Sequence, residues 1–169
     1  SEGNGLTVIN SKEWLRHRGS VGQAKIGKVR ICGADGEELP RGETGLIYFS
    51  DSPKFEYHND PQKTKDSRNQ YGWSTLGDIG YLDSDDYLYL TDRKANTIIS
   101  GGVNIYPQEI ENHLLGHPAV KDVAVIGAPN KEFGEEVKAV VLPSQKSFAR
   151  DDLERELIEF CLLKVGKIK

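Results

Sequence analysis

The feature that most limits the folds open to this chain is a change of hydrophobic period at one charged stretch, Asp92-Arg93-Lys94-Ala95-Asn96. The stretch has no apolar period and reads as a linker or hinge. Before it, short apolar runs alternate with turn residues. Val29 and Ile31 share one face, Ala34-Asp35-Gly36-Glu37 is a hairpin signal, and Leu46 to Phe49 follows as a second strand. Tyr81-Leu82 and Tyr87 to Leu90 flank a second turn, Asp83-Ser84-Asp85-Asp86. Residues 11–18 allow a short helix, and residues 51–75 read as loop with a helical turn after Pro61.

After the stretch, helical spacing enters. Ile98-Ile99 is a short strand running into Ser100-Gly101-Gly102. Pro107 suits a first helical position, Ile110 and Leu114 share a face at i, i+4, and Gly116 marks a stop. Val123 to Ile126 and Val137 to Leu142 read as strands bounded by Pro129 and Pro143. A last helix opens with Asp151 as cap and Glu154 completing a capping box, and it buries Leu153, Leu157 and Cys161. The expected fold is therefore α+β: a β-rich part over residues 1–91, a hinge over 92–96 and a small α/β part over 97–169.

Composition excludes several function classes. The 169 residues carry a net charge of −4 with both signs interspersed, so there is no basic stripe to attract a nucleic acid backbone. No apolar run approaches the roughly 20 residues of a membrane span. Cys32 and Cys161 are the only cysteines and are far apart, which fits a reducing compartment and a cytoplasmic location. The sequence contains no methionine, so a processed or partial chain is expected.

Few residues offer chemistry on local evidence. His17, His58, His113 and His117 lack metal-ligand spacing. Asp83, Asp85 and Asp86 lack the spacing and terminal Glu of a calcium loop and read as a solvated turn. Two segments are unusual. Gly72-Trp73-Ser74-Thr75-Leu76-Gly77-Asp78 puts a carboxylate after a glycine at the start of a strand, where it could accept two hydroxyl hydrogens or simply bond to its own turn. Gly101-Gly102 could let a ligand approach the backbone closely or could be only a tight turn.

Read together, these segments resemble the adenylate-forming (AMP-binding) superfamily. The run from Asp92 through Ser100-Gly101-Gly102-Val103-Asn104-Ile105-Tyr106-Pro107 to Glu109-Ile110-Glu111 resembles its hinge-and-loop signature. His117-Pro118-Ala119-Val120, Val123 to Pro129, Gly134-Glu135-Glu136-Val137, Gly42 to Leu46 and Gly77-Asp78 follow in the family's order, and Ser1-Glu2-Gly3 is similar to the end of an earlier motif. The wording around Gly101 resembles acyl-CoA synthetases more than peptide-synthetase domains.

The resemblance implies an ATP-dependent acid–CoA ligase: carboxylate and ATP form an acyl-adenylate, then the thiol of CoA displaces AMP. It implies that residues 1–91 form the β-rich, distorted barrel-like end of a large adenylation domain. Residues 97–169 would belong to a small domain that rotates between the half-reactions. It further implies that Asp78 holds the ribose hydroxyls of ATP or AMP, that Arg93 reaches the nucleotide, and that Glu2 is associated with Mg²⁺ and the phosphates. Lys94 and Ala95 would form the hinge, and Gly101, Gly102 and Phe133 would meet CoA. The sequence departs from the family pattern in three places. Leu76 stands where Thr is usual, with Thr75 one place early. Ala95 stands where Asp or Lys is common. Gly166-Lys167 comes too soon after the last helix and lacks preceding prolines, so the adenylation lysine is expected beyond Lys169 and this chain is expected to be inactive alone. The other readings open at this point are a non-catalytic nucleotide- or CoA-binding module and an adenylation domain from another branch.

Overall fold

The computed structural model describes residues 3–145 and 150–165. It divides into two units, Ser1–Ala95 and Asn96–Lys169.

The first unit is a curled six-stranded antiparallel sheet in the order β1-β2-β6-β5-β4-β3. Its strands are β1 (Leu6–Val8), β2 (Ser20–Ile26), β3 (Lys28–Cys32), β4 (Gly45–Ser50), β5 (Asp78–Leu82) and β6 (Leu88–Arg93). The alternation read in the sequence is its packing rule, because strand side chains point to opposite faces with period two. Val29 lies opposite Phe49 and Ile31 opposite Ile47, and all four join Leu82 and Leu88 in the buried core. The short helix allowed over 11–18 is α1 (Ser11–Arg16), held by a capping box in which the Asn10 side chain accepts the Glu13 amide. The turn after Pro61 is α2 (Pro61–Asp66), with Asp60 as cap and Pro at its first position. β6 carries two residues, Asp92 and Arg93, into the stretch expected to be linker, because they stay in register with Ile79 and Asp78 of β5. A 3-10 turn over Lys94–Asn96 follows.

The Asp83 turn is more than solvated surface. Its carboxylate accepts the amides of Asp85 and Tyr87 at 3.0 and 2.9 Å, and it meets His17 Nδ1 at 3.0 Å and the Tyr89 hydroxyl at 3.2 Å. The His17 ring stacks on Tyr87 with centroids 3.7 Å apart. Partial burial pushes the Asp83 carboxyl up, but the Tyr87 amide, His17, the Asp85 amide and Tyr89 together outweigh it and hold it below its ordinary 3.8. A depressed carboxyl contributes stability that is complete above its unfolded value and is lost as pH falls through the folded one. Thermal melts of the intact protein below about pH 4 should therefore fall more steeply with acid than those of Asp83→Asn, while the two slopes converge above about pH 5.

The second unit is a four-stranded antiparallel sheet in the order β8-β7-β10-β9, with β7 (Ile98–Ser100), β8 (Val103–Ile105), β9 (Val120–Asn130) and β10 (Gly134–Pro143). The helices α3 (Pro107–Leu114) and α4 (Arg150–Val165) belong to the same unit. Ile98, Ile105, Ile110, Leu114, Val120, Val125 and Leu157 form its buried core, with Leu153, Phe160 and Cys161 packed against it. Three expectations change here. A strand, β8, stands between the glycine pair and the helix. Pro129 lies inside β9 rather than bounding it, which an edge strand tolerates because a missing outward amide costs no ladder bond. Asp151 is inside α4, which starts at Arg150. Gly116 stands just after the Leu115 cap of α3, where the stop was expected, without a positive φ. His113 and His117 join α3 to α4: His113 stacks on Phe160, and His117 Nε2 lies 3.2 Å from Glu156. Two side chains occupy the outward amides of the β9 edge, Glu111 Oε1 accepting from Val125 at 2.8 Å and Asp122 Oδ1 from Val123 at 2.9 Å. Among the described residues no helix is long and apolar enough to cross a membrane.

Candidate functional site

In the first unit the loop after β4 is pinned rather than loose. Phe49 and Ser74 exchange backbone hydrogen bonds at 2.8 and 3.1 Å, and the Thr75 amide donates to the Ser67 carbonyl at 2.8 Å. This delivers Thr75-Leu76-Gly77 to the start of β5. The Thr75 hydroxyl accepts the Gly77 amide at 3.0 Å, so it serves the turn. The Gly77 carbonyl accepts the Lys94 amide at 2.7 Å and ties the end of β6 to the same place.

These contacts put Asp78 and Arg93 directly opposite each other across β5 and β6. Arg93 Nε lies 3.3 Å from Asp78 Oδ1. The Asp78 side chain is 31% exposed and that of Arg93 is 70% exposed. A pair this open adds little stability. An ionised carboxylate has about four acceptor sites, and one arginine contact leaves capacity for two hydroxyls. The two residues expected at the nucleotide, 15 positions apart in the sequence, are thus one cross-strand pair.

In the second unit Gly101 and Gly102 are the two central residues of the β7–β8 hairpin, between the opposed Ser100 and Val103. Both have positive φ, +56° and +80°, as a two-residue hairpin turn of the favoured twist requires. The structure thus shows the tight turn, which presents backbone with no side chains. The neighbouring β9–β10 hairpin carries Phe133 to this turn. Asn130 Oδ1 accepts the Glu132 and Phe133 amides at 2.9 and 3.1 Å, the Phe133 carbonyl accepts the Gly101 amide at 2.9 Å, and the Phe133 ring is 44% exposed. An added Cβ on Gly101 would stand 3.4 Å from that ring. The structure thus brings Gly101, Gly102 and Phe133 together. Sequence reasoning missed Glu135, whose Oε2 accepts the Ile99 amide at 2.8 Å. Its only sequence signal was its place after Gly134 in a family-like motif.

Lys94 and Ala95 lie in the 3-10 turn. Glu2, Gly166 and Lys167 lie outside the described residues. Among the described residues no three His, Cys, Asp or Glu side chains are grouped so as to hold a metal. Burial, then Glu38 and Glu37, push the Cys32 thiol up to about 11, and burial raises Cys161, so both thiols stay protonated and poorly nucleophilic at neutral pH.

Residues 109–169 match the family model of the AMP-binding enzyme C-terminal domain. Among curated proteins the chain is 39% identical over 166 residues to the long-chain-fatty-acid–CoA ligase FadD13 of Mycobacterium tuberculosis, covering 98% of this chain and 32% of that protein. It is 42% identical over 165 residues to the 2-succinylbenzoate–CoA ligase of Bacillus cereus, covering 97% and 33%. The structure of o-succinylbenzoate CoA synthetase from Bacillus subtilis with its acyl-adenylate intermediate superposes with a TM-score of 0.77 at 32% identity, covering 96% of this chain and 32% of that one. The chain thus spans about a third of the length of the relatives it matches. The curled sheet, the small four-stranded unit and these similarities together make the chain a member of the adenylate-forming, AMP-binding enzyme superfamily.

Proposed function

We propose that the protein to which residues 1–169 belong is an ATP-dependent acid–CoA ligase. In the first half-reaction a carboxylate oxygen bonds to the α-phosphorus of ATP and the bond to pyrophosphate breaks. In the second, the CoA sulfur bonds to the acyl carbon, the acyl–oxygen bond to AMP breaks and the thiol proton is released. Asp78 accepts the ribose hydroxyls, and Arg93, paired with it, supplies positive charge to the nucleotide. The side-chain-free turn of Gly101 and Gly102, with the exposed Phe133 ring beside it, receives the CoA arm. Lys94 and Ala95 are the hinge, and Mg²⁺ travels with the phosphates, with Glu2 as its ligand. No residue among 1–169 is assigned as the adenylation lysine. The location is cytoplasmic and the acid is a carboxylic acid of unspecified class.

The observation that carries this reading is the register that sets Asp78 against Arg93 at the open end of a hairpin. Acid-dependent exchange of pyrophosphate into ATP by the intact protein tests it. A panel of fatty, aromatic and short carboxylic acids should include at least one that supports exchange and then CoA thioester formation. Absence of exchange with every class would overturn the reading.

A further inference from the structure

We propose that Glu135 is the residue that positions the Gly101–Gly102 turn for CoA, an inference that rests on the ligase reading above. The turn sits at the end of a three-residue strand, β7, whose only residue in register with β10 is Ser100, opposite Gly134. Beyond that point the Ile99 amide bonds to a side chain, Glu135 Oε2 at 2.8 Å, instead of to the β10 backbone. Ile99 itself gives no anchorage through packing, since its side chain is half exposed. The Glu135 carboxylate, the Ser100–Gly134 pair and the Gly101–Phe133 bond therefore fix the turn against Phe133.

The neighbouring strand makes room for this carboxylate. Gly127 of β9 has ordinary backbone angles, so its lack of a side chain answers no conformational need. A Cβ placed on it would stand 2.6 Å from Glu135 Oε1 and 3.1 Å from Glu135 Cδ. The sequence thus spends a glycine in the longest strand of the unit, where glycine weakens pairing, and the space it leaves is occupied by the Glu135 carboxylate. Two sequence features that the nucleotide and CoA assignments do not use, Gly127 and the Glu after Gly134, become one device. It acts through the turn, so Glu135 is a positioning residue.

The test measures the two half-reactions separately in the intact protein. Glu135→Ala should keep acid-dependent pyrophosphate exchange close to wild type, while KM for CoA rises about tenfold or more, since small displacements of binding elements have effects of this size. Glu135→Gln, which keeps an acceptor oxygen for the Ile99 amide, should recover most of the loss. Gly127→Ala, which pushes the carboxylate aside, should reproduce the Glu135→Ala pattern. Wild-type KM for CoA in Glu135→Ala would overturn the proposal. So would equal loss of both half-reactions with no recovery in Glu135→Gln. A wild-type protein without exchange would instead bring down the ligase reading, and the proposal with it.

Discussion

Asp78→Ala in the intact protein should lower acid-dependent pyrophosphate exchange by about 10²–10⁴-fold and leave thermal stability almost unchanged. The size follows from two hydroxyl hydrogen bonds to a charged acceptor, about 1.5–3 kcal/mol each, at about 1.4 kcal/mol per factor of ten. The near-neutral stability follows from exposure: the Arg93 pair is open to water, and such pairs contribute about 0–1 kcal/mol. Asp78→Asn should fall between the two, because it keeps one acceptor oxygen but loses the charge that Arg93 faces. The pairing of effects is the useful part. A merely structural aspartate would lose stability and activity together, whereas a ribose-binding one loses activity alone. Exchange within about threefold of wild type in Asp78→Ala would remove the assignment, being under half of the smallest single charged hydrogen bond.

Leu114→Ala should destabilise the second unit by about 2–5 kcal/mol, the range for truncating a fully buried leucine. Leu114 is 2% exposed and belongs to the cluster that joins α3 to β7, β8, β9 and α4. Its neighbour supplies the control. Leu115 is 47% exposed, and Leu115→Ala should stay within about 0.5 kcal/mol of wild type. Urea unfolding of the intact protein followed by a probe in the second unit measures both. Similar midpoints for the two variants would contradict the core described for this unit.

Burial explains which elements could be read from the sequence. Val29 and Ile31 announced β3, and Leu153, Leu157 and Cys161 announced the face of α4, because each packs on a core with the period of its own element. β8 was not legible: its three residues follow two glycines and are too few to show a period. Nor was the full length of β9, since Gly127 and Pro129 look like breakers until the strand is known to be an edge. The site divides in the same way. Asp78, Arg93, Gly101, Gly102 and Phe133 are candidates through resemblance and local oddity, but register alone shows that Asp78 meets Arg93. The bond of Glu135 to a backbone amide 36 positions away leaves no periodic trace, and Gly127 acquires a meaning only once the carboxylate above it is seen.

On the proposed reading labour is divided, with the nucleotide held by the first unit and CoA received by the second. Measuring pyrophosphate exchange and thioester formation side by side for Asp78→Ala and Glu135→Ala in the intact protein tests it most directly. Asp78→Ala should lose exchange, and Glu135→Ala should keep exchange and lose thioester formation at limiting CoA. Parallel loss of both half-reactions in both variants would contradict it.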